Sequence, residues 1–309
     1  MKTININLLS FAILSVVLTG CPSKSEIEFP INAIDNESTT FLDGAQFTSG
    51  IEGPAVDKNN NLYVVNFGSE GTIGKIDQDG MVSTFLTLPN GSVGNGIRFY
   101  NSNMFIADYK GHNIFKASKE GVIEVYAHNP TMNQPNDLAV SHYGQLFCSD
   151  PNWNEKTGKI WTVSPENQIL VELKSGLGTT NGIELSPNDK YLYVNESNTL
   201  QVKRFEIDWN TNPITLSEPT TIHEFTDGGV DGMRCDEAGN IYIARITSQE
   251  VAILSPNGLL IKTVKLIGSN PTNVAFGGLD GKTVYVTVKD TKNIEKFRSY
   301  APGRSFSIQ

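Results

Sequence analysis

Three observations predict an all-β chain folded as a six-bladed β-propeller. One turn-and-strand pattern recurs six times, at Glu52-Gly53-Pro54, Asn95-Gly96-Ile97, Asn136-Asp137-Leu138, Asn181-Gly182-Ile183, Asp231-Gly232-Met233 and Thr272-Asn273-Val274. The leading positions are 43, 41, 45, 50 and 41 residues apart. A period of this size marks one supersecondary unit stacked on itself, and four strands per period mark a propeller blade. Third, Val, Ile, Tyr and Phe are frequent, 28 Gly and 14 Pro supply turns, and no long 3.6-residue apolar stripe competes.

The elements follow in chain order. Lys2 precedes an apolar run, dense from Leu8 to Leu18, that is too short to span a bilayer comfortably and reads as a secretory leader. It ends Leu18-Thr19-Gly20-Cys21, which resembles the lipobox of bacterial lipoproteins. That implies residues 1–21 as signal peptide with lipobox, lipidation at Cys21, and an exported protein anchored by acyl chains to a bacterial membrane. Residues 22–37 lack periodicity and read as a spacer. The propeller is assigned to residues 38–300 and a C-terminal tail to 301–309.

Within each repeat a polar turn leads to a second strand, as in Ser186-Pro187-Asn188-Asp189-Lys190 before Tyr191-Leu192-Tyr193-Val194. A third strand recurs from Thr72-Ile73-Gly74-Lys75-Ile76 to Asn293-Ile294-Glu295-Lys296-Phe297. Turns such as Asp77-Gln78-Asp79-Gly80 follow and introduce a fourth. The last repeat lacks its fourth strand. Thr39-Thr40-Phe41-Leu42, near the other end, is similar to Ser83-Thr84-Phe85-Leu86. The N-terminal strand is therefore expected to complete blade six and close the ring, which removes an open edge. A ring without edges makes a monomer the default.

The net charge is −9 and no basic cluster exists, which argues against a nucleic-acid partner. Beyond Cys21 the cysteines are Cys148 and Cys235, in blades three and five. These blades are not neighbours, so two buried free thiols are expected. The four histidines lack metal-ligand spacing. No Gly-x-Ser-x-Gly elbow or phosphate loop is present. Asp57-x-Asn59-x-Asn61 begins like a calcium loop, but Leu62 stands where glycine is required, so it reads as a hairpin turn.

The first strand of a propeller blade lines the central channel, so the leading residues should ring one mouth. They are Glu52, Asn95, Asn136, Asn181, Asp231 and Thr272, all polar. Converging carbonyl and carboxylate oxygens suit a hard divalent cation, Ca²⁺ foremost, with Zn²⁺, Mn²⁺ or Mg²⁺ as alternatives. Asn, Asp and Gly before a strand also serve plain turn chemistry, and both readings stay open at this point. Glu52 weighs against the turn reading. Arg98 and Tyr100 are expected towards the same mouth, and Asp150 and Glu196 to cap turns.

Glu52-Gly53-Pro54, Pro135-Asn136-Asp137-Leu138 with Asp150-Pro151, Asn181-Gly182 with Ser186-Pro187-Asn188-Asp189, and Asp231-Gly232-Met233 with Asp236-x-x-Gly239 resemble, in this order, the SMP-30/gluconolactonase/LRE-like family. The resemblance runs over roughly residues 47–300. It implies one metal in the channel mouth, held by Glu52, Asn181 and Asp231, with Asp231 also the general base of lactone hydrolysis. It implies that Asn136 contacts substrate or lies close to the metal, and Asn95, at the same mouth, and Gln134 are further candidate substrate contacts. Gln134 stands where many gluconolactonases carry an arginine that meets polar substrate. The implied partner is a small lactone or sugar-acid-like molecule. The alternative is a membrane-tethered propeller that binds a ligand or partner protein without catalysis.

Overall fold

A computed structural model describes residues 33–308. The proposed leader, Cys21 and most of the spacer lie outside them. Six antiparallel sheets follow one another in chain order. Blade one comprises Phe47–Val56, Leu62–Phe67, Thr72–Ile76 and Val82–Thr87. Blade two comprises Gly94–Tyr100, Asn103–Asp108, Asn113–Ala117 and Ile123–His128. Blades three, four and five begin at Leu138–Val140, Thr180–Leu185 and Met233–Cys235. Blade six comprises Pro271–Gly277, Thr283–Val288 and Asn293–Arg298. The long spacing after blade four's leading residue holds an extra pairing, Ile207 to Leu216 and Asp208 to Thr215.

The outermost strand of blade six is Thr39–Leu42, paired antiparallel to Asn293–Arg298 with Thr39 opposite Lys296 and Leu42 opposite Ile294. Phe41 and Leu42 pack on the cluster of Phe47, Val64, Tyr285 and Ile294 that joins blades six and one. Residues read from the sequence as spacer already take part: Asp35 N–H donates to the Arg298 carbonyl at 3.1 Å and Lys265 N–H to the Asn36 carbonyl at 3.0 Å.

The core lies between blades rather than within any one of them. Second and third strands supply most of it, because their alternating apolar residues face the neighbouring sheet. Phe147, Ile160, Ile183, Leu192 and Phe205 fill the space between blades three and four. Cys148 and Cys235 are buried free thiols.

The last residues are no loose tail. Arg304 is 2 % exposed and enters the far end of the channel. Its guanidinium donates to the Val140 carbonyl at 2.9 Å and the Ser186 carbonyl at 3.1 Å, and pairs with Glu184 at 3.4 Å and with Asp189. The segment around Arg304 thereby covers the far mouth.

Deletion of Thr39 to Asp43 exposes the third strand of blade six and uncovers its apolar cluster. The melting temperature should fall by roughly 5–10 °C or more, the size expected for losing several kcal/mol in a domain this large. Thermal unfolding followed by circular dichroism tests it. An unchanged midpoint would overturn the closure.

Candidate metal and substrate site at the channel mouth

In blades two to six the leading residue lies within two residues of the start of the first strand, whereas Glu52 lies inside Phe47–Val56. Most of these strands carry a bulge there: pairing shifts between Glu52 and Ala55, Gly94 and Ile97, Thr180 and Ile183, and Pro271 and Asn273. The bulge turns the leading side chains inward at the rim. Glu52, Asn95, Asn136, Asn181, Asp231 and Thr272 consequently line one cavity of about 200 Å³, joined by Tyr109, Trp153, Ile246 and Lys289.

One step down, the six positions are Gly53, Gly96, Asp137, Gly182, Gly232 and Asn273. Only blades three and six, which stand opposite each other, carry a side chain here. The two meet: Asn273 Nδ2 donates to Asp137 Oδ2 at 3.3 Å. The glycines make room. A Cβ on Gly96 would lie 2.4 Å from Asp137 Oδ1, and one on Gly232 about 2.0 Å from the Asn273 amide. Two residues further down the positions read Ala55, Arg98, Ala139, Glu184, Arg234 and Ala275. Arg98 and Arg234 pair with Asp137 at 3.0 and 3.2 Å. This layer is the floor of the site.

The floor corrects one expectation. Arg98 and Tyr100 do not face the mouth. The first strand descends along the axis, so a residue three past the leading position sits below the site. Arg98 is buried at the floor, and the Tyr100 hydroxyl bonds the His142 carbonyl at 3.2 Å. Gln134 is not part of the cavity wall itself; its side-chain oxygen accepts the indole N–H of Trp153, which is. His112 sits in a turn with φ of 58° and does not line the cavity. Asp150 and Glu196 cap loops as expected: Asp150 accepts from the Asn133 N–H at 2.8 Å and Trp161 Nε1 at 2.8 Å, and Glu196 from the Gly178 N–H at 3.0 Å.

The electrostatics divide the cavity from its floor. Burial opposes ionisation of Asp137, but Arg98 and Arg234 overcome it and hold its carboxyl below the usual range. Burial pushes Glu52 up to about 7; the Gly53 N–H bond at 2.8 Å opposes this and the Asp137 charge adds to it. Burial, and then the charge of Glu52, push Asp231 well above the usual carboxylate range. Two carboxylates that resist ionisation, side by side in a cavity, ask for a cation.

A third donor points the same way. The Ser197 hydroxyl donates to the Val230 carbonyl at 2.8 Å. Its oxygen therefore accepts from Asn181 Nδ2, at 3.1 Å, which fixes the orientation of that amide. Asn181 Oδ1 is left buried without a hydrogen-bond partner at the cavity wall. A buried carbonyl oxygen without a donor is costly unless something else satisfies it. Glu52, Asp231 and Asn181 Oδ1 form an all-oxygen donor set that fits a hard divalent ion. Among the described residues no three His, Cys, Asp or Glu side chains are placed to hold a metal ion together, so a donor set at this mouth needs the amide.

Comparison with known proteins now has a geometry to meet. The SMP-30/gluconolactonase/LRE-like region matches residues 52–290. The chain belongs to that family. A family relative, the gluconolactonase of Zymomonas mobilis, is 25% identical over 308 residues, covering 87% of this chain and 84% of the relative. A solved gluconolactonase from Xanthomonas campestris superposes with a TM-score of 0.74 at 18% identity, covering 87% of this chain and 92% of that one. A calcium-binding regucalcin from Agrobacterium tumefaciens superposes at 0.72 and 19% identity, covering 86% and 97%. At such identities the two structures establish the fold, and the family match runs from Glu52 to just past Lys289.

The sign of the pH dependence follows from Glu52. Its carboxyl titrates higher in the folded chain than at the ordinary value of 4.5, so the folded state holds a proton that the unfolded state releases. Ion-free protein therefore loses stability as pH rises from about 5 to about 8. In chelator, the melting temperature of Glu52→Gln minus that of wild type should grow over this interval, and an added divalent cation should restore the wild type most at the upper end. A difference that stays flat or shrinks would overturn the assignment.

Proposed function

We propose that the protein is a divalent-metal-dependent lactonase, with Glu52, Asn181 and Asp231 as metal ligands and Asp231 as general base. The observation that carries this reading is the cavity donor set: two carboxylates driven towards neutrality and an amide oxygen with no partner. The family membership and the gluconolactonase among the relatives support the reaction type. Ca²⁺ is the first ion to test, because every donor is oxygen and a regucalcin of the same fold binds calcium.

A divalent cation in this donor set supplies Lewis-acid polarisation of the lactone carbonyl and stabilises the negative charge that its oxygen gains on attack. The chain's own residues do the rest. The Asp231 carboxylate takes a proton from the attacking water while its oxygen bonds to the acyl carbon. The ring acyl C–O bond breaks, and the departing alkoxide receives that proton. The product is the open hydroxy acid. Asn95 and Asn136 present amides at the same rim; the Asn95 amide is braced by the Asn136 carbonyl at 3.2 Å. They are suited to hydroxyls of the substrate. Asn273 donates to Glu52 Oε2 at 3.1 Å and holds that carboxylate in place.

Export and lipid anchoring through Cys21 complete the proposal, and rest on Leu18-Thr19-Gly20-Cys21. They would present the cavity outside the cytoplasm.

Two outcomes test the function. Asp231→Asn should lower kcat for D-glucono-1,5-lactone about 100-fold or more, and exhaustive chelation should abolish turnover reversibly. Full activity in both would overturn metal-assisted hydrolysis. Cys21→Ser should abolish incorporation of labelled palmitate and shift the protein from the detergent phase to the aqueous phase; labelling that persists would overturn the anchor.

A further inference from the structure

We infer that the cavity selects a lactone bearing a separate carboxylate, with that carboxylate on Lys289 and the ring against Trp153. The inference rests on the lactonase reading and deepens it by naming the substrate class.

The argument begins with charge. The ionisable acids and bases in the cavity wall are Glu52, Glu70, Asp231, Tyr109 and Lys289. A divalent ion neutralises Glu52 and Asp231. Glu70, half out in solvent, has its own partner in Lys110 at 3.6 Å. Burial keeps the Tyr109 phenol protonated. What is left facing the cavity is one ammonium. Lys289 directly follows the second strand of blade six, Thr283–Val288, and its backbone N–H is anchored to the Asn270 carbonyl at 2.9 Å. Among the described residues its ammonium takes part in no ion pair. The adjacent Asp290 does not claim it: both Asp290 oxygens are occupied, by Ser269 N–H at 3.0 Å, Ser269 Oγ at 2.8 Å and Asn270 N–H at 3.0 Å. In the ion-free cavity the ammonium acts on Asp231. With the ion in place it is free to meet an anion.

The opposite wall supplies the second observation. Trp153 stands on blade three, across the ring from blade six. It is 45% exposed, a large apolar surface left at a cavity mouth. Its only polar atom, the indole N–H, is spent on Gln134, which in turn hangs from Asp150 through its backbone N–H at 2.6 Å. The indole can therefore offer the cavity a π-face or an edge but no hydrogen bond. A ring with C–H groups on one face suits that wall, and an anionic arm on the far side suits Lys289. Asn95 and Asn136 lie between them on the rim.

Hydrolysis of such a substrate yields a dicarboxylate, so products make stable probes. D-glucarate and D-gluconate share a skeleton and differ by one terminal carboxylate. Calorimetric titration of both into the purified full-length protein, saturated with Ca²⁺, reads the preference without turnover. Wild type should bind D-glucarate about three- to fivefold more tightly, the scale of one solvent-facing ion pair. Lys289→Met should bring the two dissociation constants together, and Lys289→Glu should invert their order. Equal affinities in wild type, or a preference that survives Lys289→Met, would overturn the carboxylate assignment while leaving the lactonase reading intact if D-glucono-1,5-lactone is still turned over. Failure of both acids to bind, together with no turnover under Ca²⁺, Zn²⁺ or Mn²⁺, would sink both readings.

Discussion

The buried carboxylate of Asp137 is the point on which the channel depends. Arg98 and Arg234 pair with it, and Asn273 reaches it from the opposite blade. The same two arginines extend to backbone carbonyls, Arg98 to Ile183 at 3.2 Å and Arg234 to Pro54 at 3.3 Å. Six residues, one from each blade, are thus joined through the Asp137 carboxylate. An isolated charge at this depth would be prohibitive, and a buried pair with one partner removed costs about 3–5 kcal/mol. The network ties the blades together about their axis, and Glu184 adds to it through a 3.8 Å pairing with Arg98.

The floor also shapes the chemistry above it. Negative charge on Asp137 lies beneath Glu52 and Asp231 and adds to the burial that keeps both from ionising. The arginines are turned towards Asp137 and the backbone, away from the cavity, so they relieve the acids only in part. In the ion-free cavity Lys289 offsets part of the Asp231 charge, and any further cation would enter through the open mouth, since Arg304 covers the far end. The division between a self-neutralised floor and an acid-rich cavity is the physical basis of the metal site proposed for the mouth.

Much of this was legible in the chain. The repeat spacing gave blade number and order. The likeness of Thr39-Thr40-Phe41-Leu42 to Ser83-Thr84-Phe85-Leu86 gave the closure, because a fourth strand missing at one end and spare at the other has one economical solution. The leading residues were readable as a rim because each blade enters its first strand at the same place. The floor was also written in the repeat, as Gly, Gly, Asp, Gly, Gly, Asn one position on and Ala, Arg, Ala, Glu, Arg, Ala two further. The bulge breaks simple alternation and hides, in the residues alone, where the strand turns down the axis.

The sequence by itself determined the class of fold, the ring closure and the oxygen-rich character of the mouth, since these follow from period, strand pattern and residue type at a repeated position. Tertiary structure decided which polar residues face each other. Asp137 and Asn273 are 136 residues apart and meet across the channel. Arg304 reaches Val140 across 164 residues. Gln134 braces Trp153, and Lys289 joins the cavity wall. Pairings of this kind depend on distances between blades, and no local propensity encodes them.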